Sequence, residues 1–218
     1  MSKLEIIGID LSTFVRTCRI ACLEKGVDYD LVFDYANGIA DLQSETHLAH
    51  HPFGRIPVMR HDGFTLFETT AICRYIDDTF DGPALVPGER RQAAVMEQWV
   101  SAINDYAVPR ITVKYILQYA FPKGPDGTPD MEAINEALPN VRDTLKILNA
   151  ALEDGPYFLG QTPYIADFLL LPIIDYVASM PEGADLLGAS PNVARFRDAF
   201  SERAGYAATL PDRLRQAA

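Results

Sequence analysis

Leu4 to Ile9 is a short, mainly apolar run that suits a buried strand, and the period of the pattern then changes. From Thr13 to Lys25, the residues Phe14, Cys18, Ala21 and Cys22 fall at i, i+4, i+7 and i+8. That is the stripe of an amphipathic helix, and Gly26 follows as its stop. Tyr29 to Phe33 alternates as a second strand. Pro57 to Met59 and Phe64 to Phe67 flank His61-Asp62-Gly63, where Asp-Gly marks a hairpin turn. Ile72, Tyr75 and Ile76 give the next helical face. The order β-α-β, a variable stretch, then β-β-α predicts an α/β unit over residues 1–81.

Beyond Phe80 the pattern becomes helical throughout. Asp81-Gly82-Pro83 and Pro87-Gly88 punctuate a linker, and residues 89–218 read as an all-α domain. Met96, Trp99, Val100, Ile103 and Tyr106 trace one face up to Pro109, which is expected to kink or end that helix because it lacks a backbone donor. Ile134, Leu138, Val141, Leu145, Leu148 and Leu152 alternate steps of three and four and form a second long stripe. Pro139 inside it signals another kink or a late start. Residues 121–127, rich in proline and glycine, are a loop between the two.

Composition narrows the function. A chain of 218 residues that is 48% hydrophobic can bury a sizeable core. Nineteen Lys and Arg against 30 Asp and Glu leave a net charge of −11, which gives no electrostatic basis for a nucleic-acid or anionic-membrane surface. The longest apolar run, Phe168 to Ile174, is cut by Pro172 and reads as a buried helix. The opening residues reach charge too early for a signal-peptide core. Three cysteines form no disulfide framework, and four histidines show no metal-ligand spacing. Cys18 and Cys22 lie on the apolar stripe and read as core. A reducing cytoplasm is the expected compartment, and no metal is expected.

The sharpest local signal is His51-Pro52-Phe53-Gly54-Arg55-Ile56-Pro57-Val58-Met59, followed after one hairpin by Phe67-Glu68-Thr69-Thr70-Ala71-Ile72. A proline opening a strand gives the ladder no donor, and the bond before proline is the one where a cis linkage is cheap. A turn at Ile56-Pro57 leaves the Ile56 main chain unpaired, where a peptide-like ligand can add as a short strand. Glu68 and Thr69 sit where a strand becomes a helix, so the first free N–H groups and the Thr69 hydroxyl attract an anion. Ser12, between the first strand and the first helix, places a hydroxyl at another helix start.

The first of these segments resembles the Asn-Pro-x-Gly-x-Val-Pro segment of glutathione transferases, and the second resembles their Glu-Ser-x-Ala-Ile segment, at the family's usual distance. Residues 12–21 and Glu24-Lys25-Gly26 look like the first helix of the tau, phi and zeta classes. The resemblance implies a thioredoxin-like N-terminal domain, a C-terminal helical bundle, and glutathione as co-substrate with a small electrophile. It implies that Ile56 and Pro57 dock the cysteinyl backbone, that Glu68 and Thr69 hold the γ-glutamyl group, and that Arg55 and Gln43 meet the glycyl carboxylate. Ser12 then takes the role of hydroxyl donor to the sulfur, with Thr13 as a second donor. Fold analogy assigns Leu11, Phe14, Tyr106, Arg110 and Tyr115 to the acceptor pocket. It also implies a homodimer, with exposed Phe53 as an anchor in the partner.

Gly160-Gln161-Thr162-Pro163-Tyr164-Ile165-Ala166-Asp167 resembles the segment that opens the family's central buried helix with a capping box, although Tyr164 stands where the capping hydroxyl belongs. Thr162 as N-cap with Pro163 at the first helical position is the expected repair. Other readings use the same fold differently: a glutathione-dependent peroxidase or isomerase, or a non-enzymatic interaction protein. Phe14 in place of the zeta-class cysteine counts against that isomerase, and Ser12, Glu68 and Thr69 together count against a bare scaffold.

Overall fold

The computed structural model describes residues 3–215; residues 1–2 and 216–218, at the outer ends of the two expected domains, lie outside it. The sheet has the order β2-β1-β3-β4, with β1 at Leu4–Ile7, β2 at Tyr29–Val32, β3 at Val58–His61 and β4 at Phe64–Phe67. β1 runs parallel to β2 and antiparallel to β3, which in turn pairs with β4. Asp62 (φ 47°) and Gly63 (φ 80°) both adopt left-handed backbone, so the Asp-Gly pair makes the tight turn of the β3–β4 hairpin.

Helix α1 (Thr13–Lys25) follows β1, α2 (Glu45–Leu48) lies in the connection to β3, and α3 (Thr69–Thr79) follows β4. Gly8, just after β1, is set by close approach: a Cβ there would lie 2.3 Å from Val15 Cγ2. Glycine thus lets α1 start tight against the strand end, which positions Ser12. Leu4, Ile6, Cys18, Cys22, Ile72, Cys73 and Ile76 form the buried centre between sheet and helices. Burial pushes the Cys18 and Cys22 thiols up, so they stay protonated and act as small hydrophobes.

The helical half begins with α4 (Arg90–Ala102), capped by the Glu89 carboxylate, which accepts the Arg91 and Gln92 N–H groups. Pro109 does not end this helix. The turns widen instead into a π-type stretch over Ile103–Ile116, which takes up the crowding a proline ring imposes on the preceding turn, and the helix finishes as α5 (Leu117–Ala120). Its buried stripe runs Met96, Val100, Ile103, Ala107, Ile111 and Tyr115. After Ile103 the steps are uniformly four, as the wider turns require. Helix α6 (Met131–Ala151) runs through Pro139 without interruption and packs along the π-type stretch.

Helix α7 (Ile165–Ser179) is buried along nearly its whole length and packs against α1. Thr162 is not its N-cap; it is exposed, and the helix starts three residues later. The reason is Asp167, whose two carboxylate oxygens accept the Tyr164 and Phe158 N–H groups at 2.9 Å each, fixing Tyr164 as the last extended residue. Only the acidic half of a capping box is built. Asp167→Ala leaves both main-chain donors without that acceptor, and a loss of about 1–3 kcal/mol is expected, read as a shift in the urea midpoint.

The chain ends in α8 (Gly183–Gly188), α9 (Pro191–Ser201), α10 (Ala204–Thr209) and α11 (Asp212–Arg215). The two halves are joined by charge as well as by packing. Fully buried Arg16 on α1 donates to Asp175 on α7 at 2.6 Å, and Asp175 also accepts from Arg197 on α9 and from the Tyr206 hydroxyl on α10. Arg19 donates to the carbonyls of Ala208 and Thr209. Among the described residues no helix is long and apolar enough to cross a membrane.

Candidate active site

A cavity of about 740 Å³ opens where the loop ends of the sheet face the wide-turned helix. Its N-terminal wall contains Leu11, Ser12, Phe14, Arg55, Ile56, Pro57, Glu68 and Thr69, eight of the residues singled out from the sequence. Ser12 is the N-cap of α1, and its Oγ accepts the Val15 N–H at 3.3 Å. That bond uses a lone pair and leaves the hydroxyl proton to donate elsewhere. No acidic side chain stands in the first turn of α1, so the positive end of the helix dipole is not offset there.

Ile56 comes before the ladder, which β3 enters only at Val58, and its N–H and C=O take no partner among the described residues. The Ile56–Pro57 bond is cis. Glu68 adopts φ 74° and ψ 116°, a conformation that costs a non-glycine residue about 1–3 kcal/mol and that the surrounding turn sustains. Thr69, buried, opens α3 beside it. An exposed carboxylate, a hydroxyl and free helix N–H groups therefore lie together on one wall.

Two histidines stiffen the loop that carries Arg55 and Ile56. His47, fully buried, must donate from Nε2 to the Arg55 carbonyl (2.8 Å), so its Nδ1 accepts from the Tyr35 hydroxyl (2.7 Å). His51 lines the cavity and accepts the Phe53 N–H on Nδ1. Burial lowers its pKa; Glu68 nearby opposes this, and His47 and Arg55 add to it.

Four sequence-assigned residues do not line the cavity. Gln43 donates its side-chain amide to the Gly54 carbonyl (3.4 Å), and its neighbour Leu42 lines the wall instead. Tyr106 is 58% exposed, with the Arg110 guanidinium 5.7 Å from its ring centroid. Tyr115 is buried on the other side of the helix, where its hydroxyl donates to Glu182 (2.7 Å). Its acidity is suppressed by burial and by that bond. The helical wall is Asn104, Val108, Thr112, Val113, Ile116 and Leu117. A stripe in steps of four from Asn104 marks it, whereas the aromatic positions Tyr106 and Tyr115 lie off this wall. Tyr176 on α7 and Arg213 on α11 complete the cavity. No local motif marks either one, because only the folded chain brings them into the cavity wall. Among the described residues no cluster of His, Cys, Asp and Glu is placed to hold a metal ion.

Comparison with known proteins gives the same architecture. Residues 11–79 match the family model "Glutathione S-transferase, N-terminal domain", and residues 131–199 match "Glutathione S-transferase, C-terminal domain". Glutathione S-transferase F14 of Arabidopsis thaliana is 29% identical over 193 residues, covering 86% of this chain and 75% of the relative. Glutathione S-transferase 1 of Zea mays is 26% identical, covering 93% and 94%. The crystal structure of poplar glutathione transferase F1 superposes with a TM-score of 0.85 at 25% identity over the full length of both chains. That of glutathione transferase F7 from Populus trichocarpa gives 0.82 at 26%, over 94% of this chain and 97% of the other. With both halves of the architecture matched in order, and with a helix-capping hydroxyl, a carboxylate and an unpaired strand edge meeting in one cavity, the chain belongs to the glutathione S-transferase family.

Proposed function

We propose that this protein binds glutathione against the Ile56 main chain, ionises its thiol beside Ser12, and transfers the sulfur to a small electrophile. The reading rests on one observation: the Ser12 hydroxyl, free to donate, shares a cavity with Glu68, Thr69 and the unpaired Ile56 backbone. The cysteinyl N–H and C=O pair with Ile56 as an added strand. The γ-glutamyl ammonium meets Glu68, and its carboxylate meets Thr69 and the start of α3. Arg55 is the cation nearest the glycyl end, with Gln43 acting on it through Gly54. The thiol proton leaves to solvent, the thiolate accepts a hydrogen bond from Ser12, and its lone pair forms the new S–C bond while the leaving group departs with its electrons. Leu11, Phe14 and the apolar helical wall hold the acceptor.

The same reading makes this a detoxification-type enzyme of the cytoplasm that works as a two-fold dimer. Phe53 supports the dimer: it is 72% exposed on the loop after Pro52, an arrangement suited to an anchor in a partner's pocket. Phe53→Ser is expected to raise the dimer dissociation constant at least tenfold, measured by sedimentation. A parent that sediments as a monomer at micromolar concentration contradicts the dimer. Retention on immobilised glutathione, followed by assay with a chloronitroaromatic, an organic peroxide and a disulfide, tests the activity itself. Conjugation of the chloronitroaromatic at the highest rate is the expected outcome, and turnover of the peroxide alone overturns it.

A further inference from the structure

The helical side of the cavity carries polar groups that neither the fold nor the glutathione scheme uses, Arg213 and Thr112 among them. Arg213 on α11 lines the cavity together with Leu11 and Tyr176, and it forms no ion pair among the described residues. Its neighbour Asp212 instead faces Arg215 at 3.7 Å. Thr112 is another: the residue lines the cavity wall, and its buried Oγ has no hydrogen-bond partner among the described residues. Tyr176 offers no comparable donor, since its hydroxyl is spent on the Leu11 carbonyl at 2.7 Å.

The position of Arg213 is built, although its side chain is exposed. Leu214 buries beside it, and Arg215 donates to the carbonyls of Leu210 and Ala207. Arg16 and Arg19 tie α10 to α1, the helix that Ser12 caps. A guanidinium thus lines the same cavity as Ser12 and the apolar wall of Val108, Val113, Ile116 and Leu117. Glutathione does not account for it. Of the charged side chains lining the cavity, Glu68 answers the ammonium and Arg55 the glycyl carboxylate, while the γ-glutamyl carboxylate goes to Thr69 and the α3 terminus. Arg213 is left over. In a chain of net charge −11, an anionic acceptor is repelled unless a local cation receives it.

We propose that Arg213 selects electrophiles that carry a carboxylate on an apolar, aromatic-sized body, with the ring along the helical wall and the acid on the guanidinium. This rests on the glutathione-conjugation reading and adds the acceptor class to it. For the probe 4-chloro-3-nitrobenzoate, the thiolate sulfur bonds to the ring carbon bearing chlorine, the C–Cl bond breaks, and chloride leaves with the electron pair. The thiol proton goes to solvent.

The experiment compares this acid with its neutral analogue 4-chloro-3-nitrobenzamide, using full-length parent, Arg213→Gln and Arg213→Lys. The ratio of kcat/KM for acid over amide is expected to fall about fivefold or more in Arg213→Gln, to be largely retained in Arg213→Lys, and to decline with added salt in the parent. A ratio within twofold of the parent in Arg213→Gln overturns the proposal. So does an equal loss for both substrates with a raised pKa of the bound thiol, which would assign Arg213 to the sulfur. Calorimetric binding of the two finished conjugates, the S-(4-carboxy-2-nitrophenyl) and S-(4-carbamoyl-2-nitrophenyl) derivatives of glutathione, reads the same preference without turnover. If glutathione itself fails to bind, the underlying conjugation reading falls; if it binds and the two conjugates bind alike, only the acceptor assignment falls.

Discussion

Ser12→Ala is expected to leave glutathione affinity within about threefold of the parent while the conjugation rate falls by a factor on the order of 10 to 1000. A free thiol with a pKa of ~8.5 or higher is mostly protonated at neutral pH, and only the thiolate attacks. Lowering that pKa by about two units takes roughly 2.7 kcal/mol. A charge-assisted hydrogen bond and an unopposed helix terminus can supply this together. Ser12 is placed for both, since its Oγ holds the first turn of α1 through Val15 while its proton stays free. Affinity is expected to survive because, in the proposed binding mode, Ile56, Glu68 and Thr69 meet other parts of the ligand. Losing the cap costs stability too, about 1 kcal/mol, so rate and unfolding are measured on the same samples. Ser12→Cys is expected to exchange conjugation for thiol–disulfide chemistry, because a cysteine at a helix start is itself a low-pKa nucleophile.

The second large effect is on stability. Asp175→Ala removes the acceptor of three groups at once: buried Arg16, Arg197 and the Tyr206 hydroxyl. Arg16 then stays in the interior as an uncompensated charge, with Nη2 already unpartnered among the described residues. Stripping one partner from a buried ion pair costs about 3–5 kcal/mol, against a total of about 5–15 kcal/mol for a typical domain. A urea midpoint lowered accordingly is the expected result, and a loss under about 1 kcal/mol contradicts the role given to this pair. The variant should also weaken the acid-over-amide preference before it unfolds globally, because Asp175 helps seat α10 and, through it, Arg213.

Much of this fold is legible from local chemistry. The apolar stripe and Gly26 mark α1 to the residue, and Asp62-Gly63 marks the hairpin, because each is decided by backbone conformations within a few positions. The N-terminal wall of the cavity is legible for the same reason: Ser12, Ile56, Glu68 and Thr69 sit at strand and helix ends whose unpaired groups follow from the pattern. The helical wall is not. Its register depends on how turns accommodate Pro109, and widening them changes which residues face inward, so Tyr106, Arg110 and Tyr115 turn away while Val108, Thr112 and Ile116 turn in. The start of α7 is not legible locally because Asp167 acts across a loop, binding Phe158 as well as Tyr164. Arg213 lies about 200 residues from Ser12 in sequence, and nothing short of the packed C-terminal segment brings them into one cavity.

The central claim is that the cavity ionises the thiol of glutathione through Ser12. It is tested most directly by titrating bound glutathione and following thiolate ultraviolet absorbance against pH in the parent and in Ser12→Ala. The parent is expected to show the bound thiol about two units below its free value, and Ser12→Ala to return it most of the way. A bound thiol that titrates at the same pH in both proteins contradicts the account and leaves Ser12 as a helix cap alone, with Thr13 the next hydroxyl to examine.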